Sequence, residues 1–347
     1  MTFVAILVVA TACSASAGSA GSSAGTASSP ERATASTGAG ADAGTTVPDR
    51  KSSAGCTAPA AAPGVTVAHL TSGGQERTYQ LTLPADYDGA KPLPIVFALH
   101  ALTVSYTFVA SMTGFADMAK SYDFVGVAPS GLVNGSTPYW QAADSPDNYD
   151  LDFINVLLDK LEADLCIDPS RVYSVGMSNG AQMSSLLACR DSDRITAVAP
   201  ISGVEFPDIC QGRPVPVIAF HGTADPIVTY EGGGLNANTI ASQELWKGHP
   251  PPNLPENHGV DAAMATWATH NGCDAQPVEE QISHEVRRHT WQHCQAATVL
   301  YIIDGGGHAW PGKPVPQFEA QFGHGTTEID ASSLIFDFFL GASGATR

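Results

Sequence analysis

Positive charge is what this sequence lacks most. Only 16 Lys and Arg stand against 34 Asp and Glu in 347 residues, a formal net charge of -18. So acidic a chain repels phosphate backbones, which argues against nucleic acid as a partner. There is no glycine-rich loop followed by Lys of the kind that cradles nucleotide phosphates. The apolar run at the start, Phe3 to Ala12, is too short to cross a bilayer as a stable helix. From residue 14 to residue 55 there is no aromatic side chain, and Val47 is the only aliphatic one larger than Ala. Such a segment cannot bury enough apolar surface to offset the entropy of ordering it, so 14–55 is expected to be a disordered tether.

What the start does have is the length of a signal-peptide core, with small residues at Ala10-Thr11-Ala12. Residues 1–13 are therefore expected to be an export signal. Cys13 is the candidate lipidation site if the signal is of the lipoprotein kind, and it would supply the only membrane attachment. Six cysteines remain: Cys56, Cys166, Cys189, Cys210, Cys273 and Cys294. An even set in an exported chain suggests three disulfides, with 15 pairings open in principle. Cys189 and Cys210 flank one polar segment and Cys273 and Cys294 another, leaving Cys56 for Cys166.

From Cys56 onward, strand and helix patterns alternate. Leu93–Leu99, Phe124–Ala128, Thr196–Ile201 and Val215–Phe220 are continuous apolar runs, the signature of strands buried on both faces. Glu76–Leu83, Arg171–Val175 and Ala297–Ile303 also predict strands. Residues 151–165, 260–270 and 328–340 carry helical periodicity. This alternation predicts an α/β fold with a mostly parallel central sheet, helices on both faces and one catalytic domain over 56–342. Gly232–His258, with Pro250, Pro251, Pro252 and Pro255, is expected to form a long surface loop. Nothing calls for a second copy, so a monomer is expected.

Three features fall at predicted strand ends, where such sheets gather their ligands. Gly176-Met177-Ser178-Asn179-Gly180 lies between a strand and a helix, as in a nucleophile elbow. Context carries that assignment, because Gly21-Ser22-Ser23-Ala24-Gly25 has the same pattern inside the tether. Asp225 follows the Val215–Phe220 strand, and His308 sits in the glycine-rich loop after Ala297–Ile303. Serine needs a base to take its proton, and His308 can supply one; Asp225 would orient the imidazole. The order Ser, Asp, His is that of α/β-hydrolases. Backbone N–H groups of Asn179 and Leu102 are the candidate oxyanion donors. His100, Trp140 and Trp310 are expected to wall the substrate cleft, although His100 also suits a structural hydrogen bond and Trp310 a place in the core. Plain alternatives are a helix cap for Ser178, a turn for Asp225, and Asp304 as rival acid. His284, His289, His293 and Cys294 lack a firm ligand spacing, so no metal is expected.

Taken together, these residues resemble the exported esterases of the polyhydroxybutyrate depolymerase, feruloyl esterase and acetylxylan esterase group (carbohydrate esterase family 1). The similarity rests on Leu99-His100, Cys166 to Tyr173 leading into the Ser178 pentapeptide, and Leu187-Ala188-Cys189. It continues through His221 to Asp225, Trp267 with Asn271-Gly272-Cys273, and Gly306 to Gly312. The resemblance implies a serine carboxylesterase acting through an acyl-enzyme, with Ser178, Asp225 and His308 as its triad and no cofactor. It implies an ester substrate, either feruloylated or acetylated polysaccharide or a hydroxyalkanoate oligomer, met outside the cell. Where that group has His-Gly, this chain has His100-Ala101, a costly change if that backbone needs positive φ. A catalytically impaired relative that only binds glycan or polyester is the rival reading.

Overall fold

The computed structural model describes residues 52–341, apart from residue 209 and residues 234–253. The signal segment with Cys13, nearly all of the tether and most of the 232–258 loop thus lie outside the described residues.

An edge hairpin comes first, β1 (Gly64–Ser72) with β2 (Gln75–Leu83), then β3 (Leu93–Leu99). Helices α1 (Tyr106–Thr113) and α2 (Phe115–Tyr122) lead to β4 (Val125–Pro129) and a small hairpin, β5 (Leu132–Asn134) and β6 (Thr137–Tyr139). Helix α3 (Tyr149–Asp164), β7 (Ile167–Met177), α4 (Asn179–Arg190), β8 (Ala197–Ile201) and β9 (Val217–Gly222) follow. Helix α5 (Val260–His270), β10 (Val278–Gln281), β11 (Val286–Thr290), β12 (Thr298–Ile303) and α6 (Ala331–Leu340) complete the order. Ten strands form one sheet in the order β1-β2-β4-β3-β7-β8-β9-β12-β11-β10. From β4 to β12 all neighbours are parallel, and antiparallel hairpins finish both edges.

The alternation of β3 shows how the sheet is buried. Ile95, Phe97 and Leu99 face a core shared with Phe153 and Leu157 of α3, Leu186 of α4 and Trp267 of α5. Val96 and Ala98 face the opposite core, with Phe115 of α2 and Phe336 and Phe339 of α6. Both faces of a parallel sheet are covered, so its strands carry no polar face and read as unbroken apolar runs. Helix α3 starts where Asn148 Oδ1 accepts from the N–H groups of Asp150 and Leu151. Asp330 caps α6 through the Ser333 N–H.

Disulfides join Cys56 to Cys166, Cys189 to Cys210 and Cys273 to Cys294. The first ties the N-terminal side of the domain to the residue before β7. Ser53 reinforces it, its Oγ donating to Leu165 O at 2.7 Å and accepting from Ile167 N–H at 2.9 Å.

Candidate active site

Strand β7 ends at Met177, and the chain reverses sharply at Ser178, with φ 56° and ψ -121°. Non-glycine residues rarely take such a conformation, and it persists only where the surroundings hold it. The holders are visible. Ser178 N–H donates to Ile201 O at 2.8 Å, at the end of β8. A Cβ on Gly176 would lie 2.1 Å from Gly180 O, and one on Gly180 would lie 2.2 Å from Leu99 O. Both glycines are therefore required by close backbone approach, which also brings the end of β3 against the start of α4. Ser178 occupies the N-cap position of α4, yet its side chain makes no capping hydrogen bond. The helix-cap alternative lacks the bond that would define it.

Two strands along, the turn after β9 fixes Asp225. Its Oδ1 accepts from Ile227 N–H at 2.8 Å and Val228 N–H at 2.9 Å. Its Oδ2 meets His308 Nδ1 at 2.8 Å and His221 Nε2 at 3.4 Å. Burial alone would raise the Asp225 carboxyl, but the charge of His308 and hydrogen bonds from His221 and His308 outweigh it and hold the group well below the usual range. His308 hangs from the loop after β12, its N–H donating to Phe322 O at 2.6 Å. Bonding through Nδ1 leaves Nε2 as the free ring nitrogen. Ser202 ties this loop to the elbow side: it follows Ile201, the acceptor of the Ser178 N–H, and its Oγ donates to Ala309 O at 3.2 Å.

The loop after β3 differs in detail from the sequence expectation. Positive φ falls at Thr103 (70°), whose N–H donates to Pro138 O at 2.9 Å, and Ala101 is not among the positive-φ residues. The missing glycine at 101 therefore carries no backbone penalty. His100 and Trp140 prove to be interior struts, not cleft walls. Both are fully buried, their rings tilted at 33° to each other with centroids 4.9 Å apart. His100 Nε2 accepts from Gly131 N–H at 2.9 Å, and its Nδ1 lies 2.8 Å from Ala101 O. That pattern needs a neutral ring, and burial lowers its pKa to about 4. Trp140 Nε1 donates to His100 O at 3.0 Å. Trp310 is likewise core: it is buried in the cluster with Phe336 and Ile335, and its Nε1 donates to Ser332 Oγ at 3.1 Å. A large indole with a polar partner inside the protein gains more from burial than from facing a wet cleft.

The rival acid Asp304 is committed elsewhere, to Arg287 at 2.8 and 2.9 Å. Of the histidine cluster, His289 pairs with Glu279 and His293 with Asp274, each at 2.8 Å, while Cys294 is in its disulfide.

Sequence reasoning missed two buried features near the site. Arg77 and Asp150 form an ion pair in the interior, with Arg77 over the Phe153 ring. Burial raises the Asp150 carboxyl, opposed by Arg77. Glu205, three residues after Ser202, is 1% exposed, and neither carboxylate oxygen has a partner in good hydrogen-bond geometry. Burial raises its pKa to about 8, the charges of Asp208 and Glu256 adding to it and the His258 N–H offsetting part. A glutamate inside Gly203-Val204-Glu205-Phe206 was the available signal for the second; nothing local marked the first.

A mostly parallel sheet, a strained serine turn between strand and helix, and an aspartate–histidine pair at later strand ends define the α/β-hydrolase class. The model of the Esterase family, described as "Putative esterase", matches residues 71–312. This chain belongs to that family. It is 30% identical to feruloyl esterase D of Neurospora crassa over 248 residues, 68% of this chain and 74% of that protein. It is 31% identical to feruloyl esterase C of Emericella nidulans over 173 residues, 48% of this chain and 61% of that protein. Among solved structures, an acetyl xylan esterase from Aspergillus awamori superposes with a TM-score of 0.50 at 14% identity, covering 70% of this chain and 94% of that one. The chain spans 61% of the length of the Emericella enzyme and 41% of that of feruloyl esterase B from Piromyces equi, 26% identical to it.

Proposed function

We propose that the protein hydrolyses carboxylic esters through an acyl-enzyme on Ser178. The observation that carries this is the buried 2.8 Å bond between His308 and Asp225, at the strand ends beside the Ser178 turn. In the proposed cycle Ser178 Oγ attacks the ester carbonyl carbon while His308 Nε2 takes the hydroxyl proton. Asp225 holds the tautomer and stabilises the imidazolium. The Asn179 N–H, at the start of α4, has no intrahelical acceptor and with the Leu102 N–H would hold the oxyanion. Collapse of the tetrahedral intermediate passes the His308 proton to the departing alcohol. Water, deprotonated by His308, then releases the acid and restores Ser178.

For substrate, the similarity to feruloyl esterases favours feruloylated or acetylated polysaccharide over hydroxyalkanoate oligomers. Export agrees with the three disulfides, which persist in oxidising compartments. A lipid anchor on Cys13 belongs to the same proposal.

Ser178→Ala should remove nearly all p-nitrophenyl acetate turnover, a loss on the order of a million-fold, with the fold unchanged. A variant that kept its activity would refute the mechanism. Wild-type enzyme is then offered methyl ferulate, acetylated xylan and hydroxybutyrate oligomers. Fastest turnover of the oligomers would overturn the polysaccharide assignment.

A further inference from the structure

Behind the proposed oxyanion donors lies a run of buried polar contacts that no step of the chemistry uses. Its root is the ion pair between Arg77 on β2 and Asp150 at the start of α3, with Asp150 fully buried. Arg77 also donates to Ser130 O at 3.1 Å, and Asp150 Oδ2 accepts from Gln141 N–H at 2.8 Å. The pair thus grips both ends of the segment 130–141, which carries the β5–β6 hairpin. Next to Gln141, Trp140 exchanges two hydrogen bonds with the Asn179 side chain. Its N–H donates to Asn179 Oδ1 at 2.7 Å, and Asn179 Nδ2 donates to its carbonyl at 3.1 Å. The indole of Trp140 donates to His100 O, Gly131 N–H donates to the His100 ring, and Thr103 N–H donates to Pro138 O. One segment therefore holds the residue that follows Ser178 and also the loop containing Leu102.

The elbow and the β3 loop leave neighbouring strands that are paired as far as Leu99 and Gly176, and beyond the strand ends their backbones meet at Gly180. Two N–H groups serve one oxyanion only if their separation is fixed before the charge appears. We infer that Asp150, Arg77, Trp140 and the Asn179 side chain are positioning residues that set the relative placement of the Asn179 and Leu102 N–H groups. The inference rests on the proposed roles of Ser178 and those two donors. Leaving a buried ion pair in place solely for packing has no advantage over an apolar pair of similar volume. Here Asp150 Oδ2 accepts from the Gln141 N–H and Arg77 donates to Ser130 O, so each partner of the pair also fixes backbone. The pair gains in precision of the loop what it does not gain in stability.

The test compares Trp140→Phe, which keeps a smaller aromatic ring and removes the indole N–H, with Asp150→Asn, which keeps an acceptor for Gln141 N–H and removes the charge. Turnover of p-nitrophenyl acetate and inhibition by a trifluoromethyl ketone, which forms a tetrahedral oxyanion adduct on serine, are measured well below each variant's Tm. Each variant should lose about 10- to 100-fold in kcat with KM within about two-fold, and bind the ketone proportionally more weakly. Because both act through one segment, the double variant should lose less than the product of the single losses. Unchanged kcat in folded Trp140→Phe, or a rise in KM alone, would overturn the inference even if Asp150→Asn fails to fold. A fluorophosphonate label on Ser178 of the wild type separates the two layers. If it labels and kcat is indifferent to Trp140, the relay is wrong; if Ser178 does not label, the esterase reading fails and takes the relay with it.

Discussion

Asp225 is the residue on which most of the site geometry converges. Two backbone N–H groups meet its Oδ1 and His308 meets its Oδ2 at 2.8 Å, with His221 Nε2, bonded to Val228 O, a further 3.4 Å contact. An amide at this position can still accept a hydrogen bond through its oxygen but would select the wrong histidine tautomer or turn its NH2 toward His308. Asp225→Asn should therefore lower kcat on the order of ten-thousand-fold, while Asp304→Asn, which leaves Arg287 paired with Glu279 alone, should change it by less than about five-fold. Steady-state kinetics of the two variants decide the acid, and the reverse ranking would move it to Asp304. The depressed Asp225 carboxyl also favours the native state above the ordinary carboxylate range, a contribution lost as pH falls through its lowered value. Glu205 works in the opposite direction. Burial pushes its pKa up to about 8 from the 4.5 of a free glutamate, so the native state binds the extra proton between those limits. Stability is then full below about pH 4.5 and is lost as pH rises toward 8. Glu205→Gln should flatten the fall of unfolding free energy between pH 5 and 8 in calorimetric scans, by an amount on the order of a few kcal/mol at the upper end. A wild-type slope retained in the variant would count against this.

At the scale of elements, the legible parts of the chain are those whose burial is uniform. Strands β3, β8 and β9 announce themselves as apolar runs because both their faces are covered, and α5 appears at the limits its periodicity gives. Strand β1 was not legible: it is an edge strand with Val65 and Val67 exposed, so no periodic burial marks it. Strands β10 and β11 carry charge pairs such as Arg288 with Glu280 and read as polar loop. Ser178, Asp225 and His308 could be placed because chemistry constrains residue type and strand ends constrain position. His100, Trp140 and Trp310 lie inside, the structural alternative that the sequence leaves open for His100 and Trp310; aromatic and imidazole groups suit a cleft and a core equally until their hydrogen-bond partners are known. The elbow itself carries an element-scale prediction. Gly180→Ala would drive a methyl group into Leu99 O and His100 O, both backbone atoms with no freedom to yield. Loss of turnover with a Tm lowered by several degrees is the outcome expected from activity and melting measurements; an active, equally stable variant would contradict the close approach.

For the whole molecule, the disulfides differ in reach. Cys56–Cys166 closes 110 residues, whereas the other two each close 21. In the chain-entropy picture a loop near 100 residues contributes about 4.7 kcal/mol and one near 15 about 3 kcal/mol. Replacing Cys56 and Cys166 by Ser should therefore lower Tm further than replacing Cys189 and Cys210, a comparison for calorimetry under identical redox conditions. Equal shifts would point to local strain or packing and away from loop closure.

The same bond decides where a pull would enter the domain. Force arriving from the N-terminal side of Cys56 does not reach β1 first; it passes through sulfur to Cys166, next to β7, which is paired on both sides by β3 and β8. Peeling the sheet strand by strand from its β1 edge is closed off while the link is oxidised, and the load falls on an interior strand paired on both sides. Reduction would hand that load back to the edge hairpin. Cys56–Cys166 would thus route any load on the chain upstream of Cys56 to the strand that leads into Ser178, for as long as the bond stays oxidised.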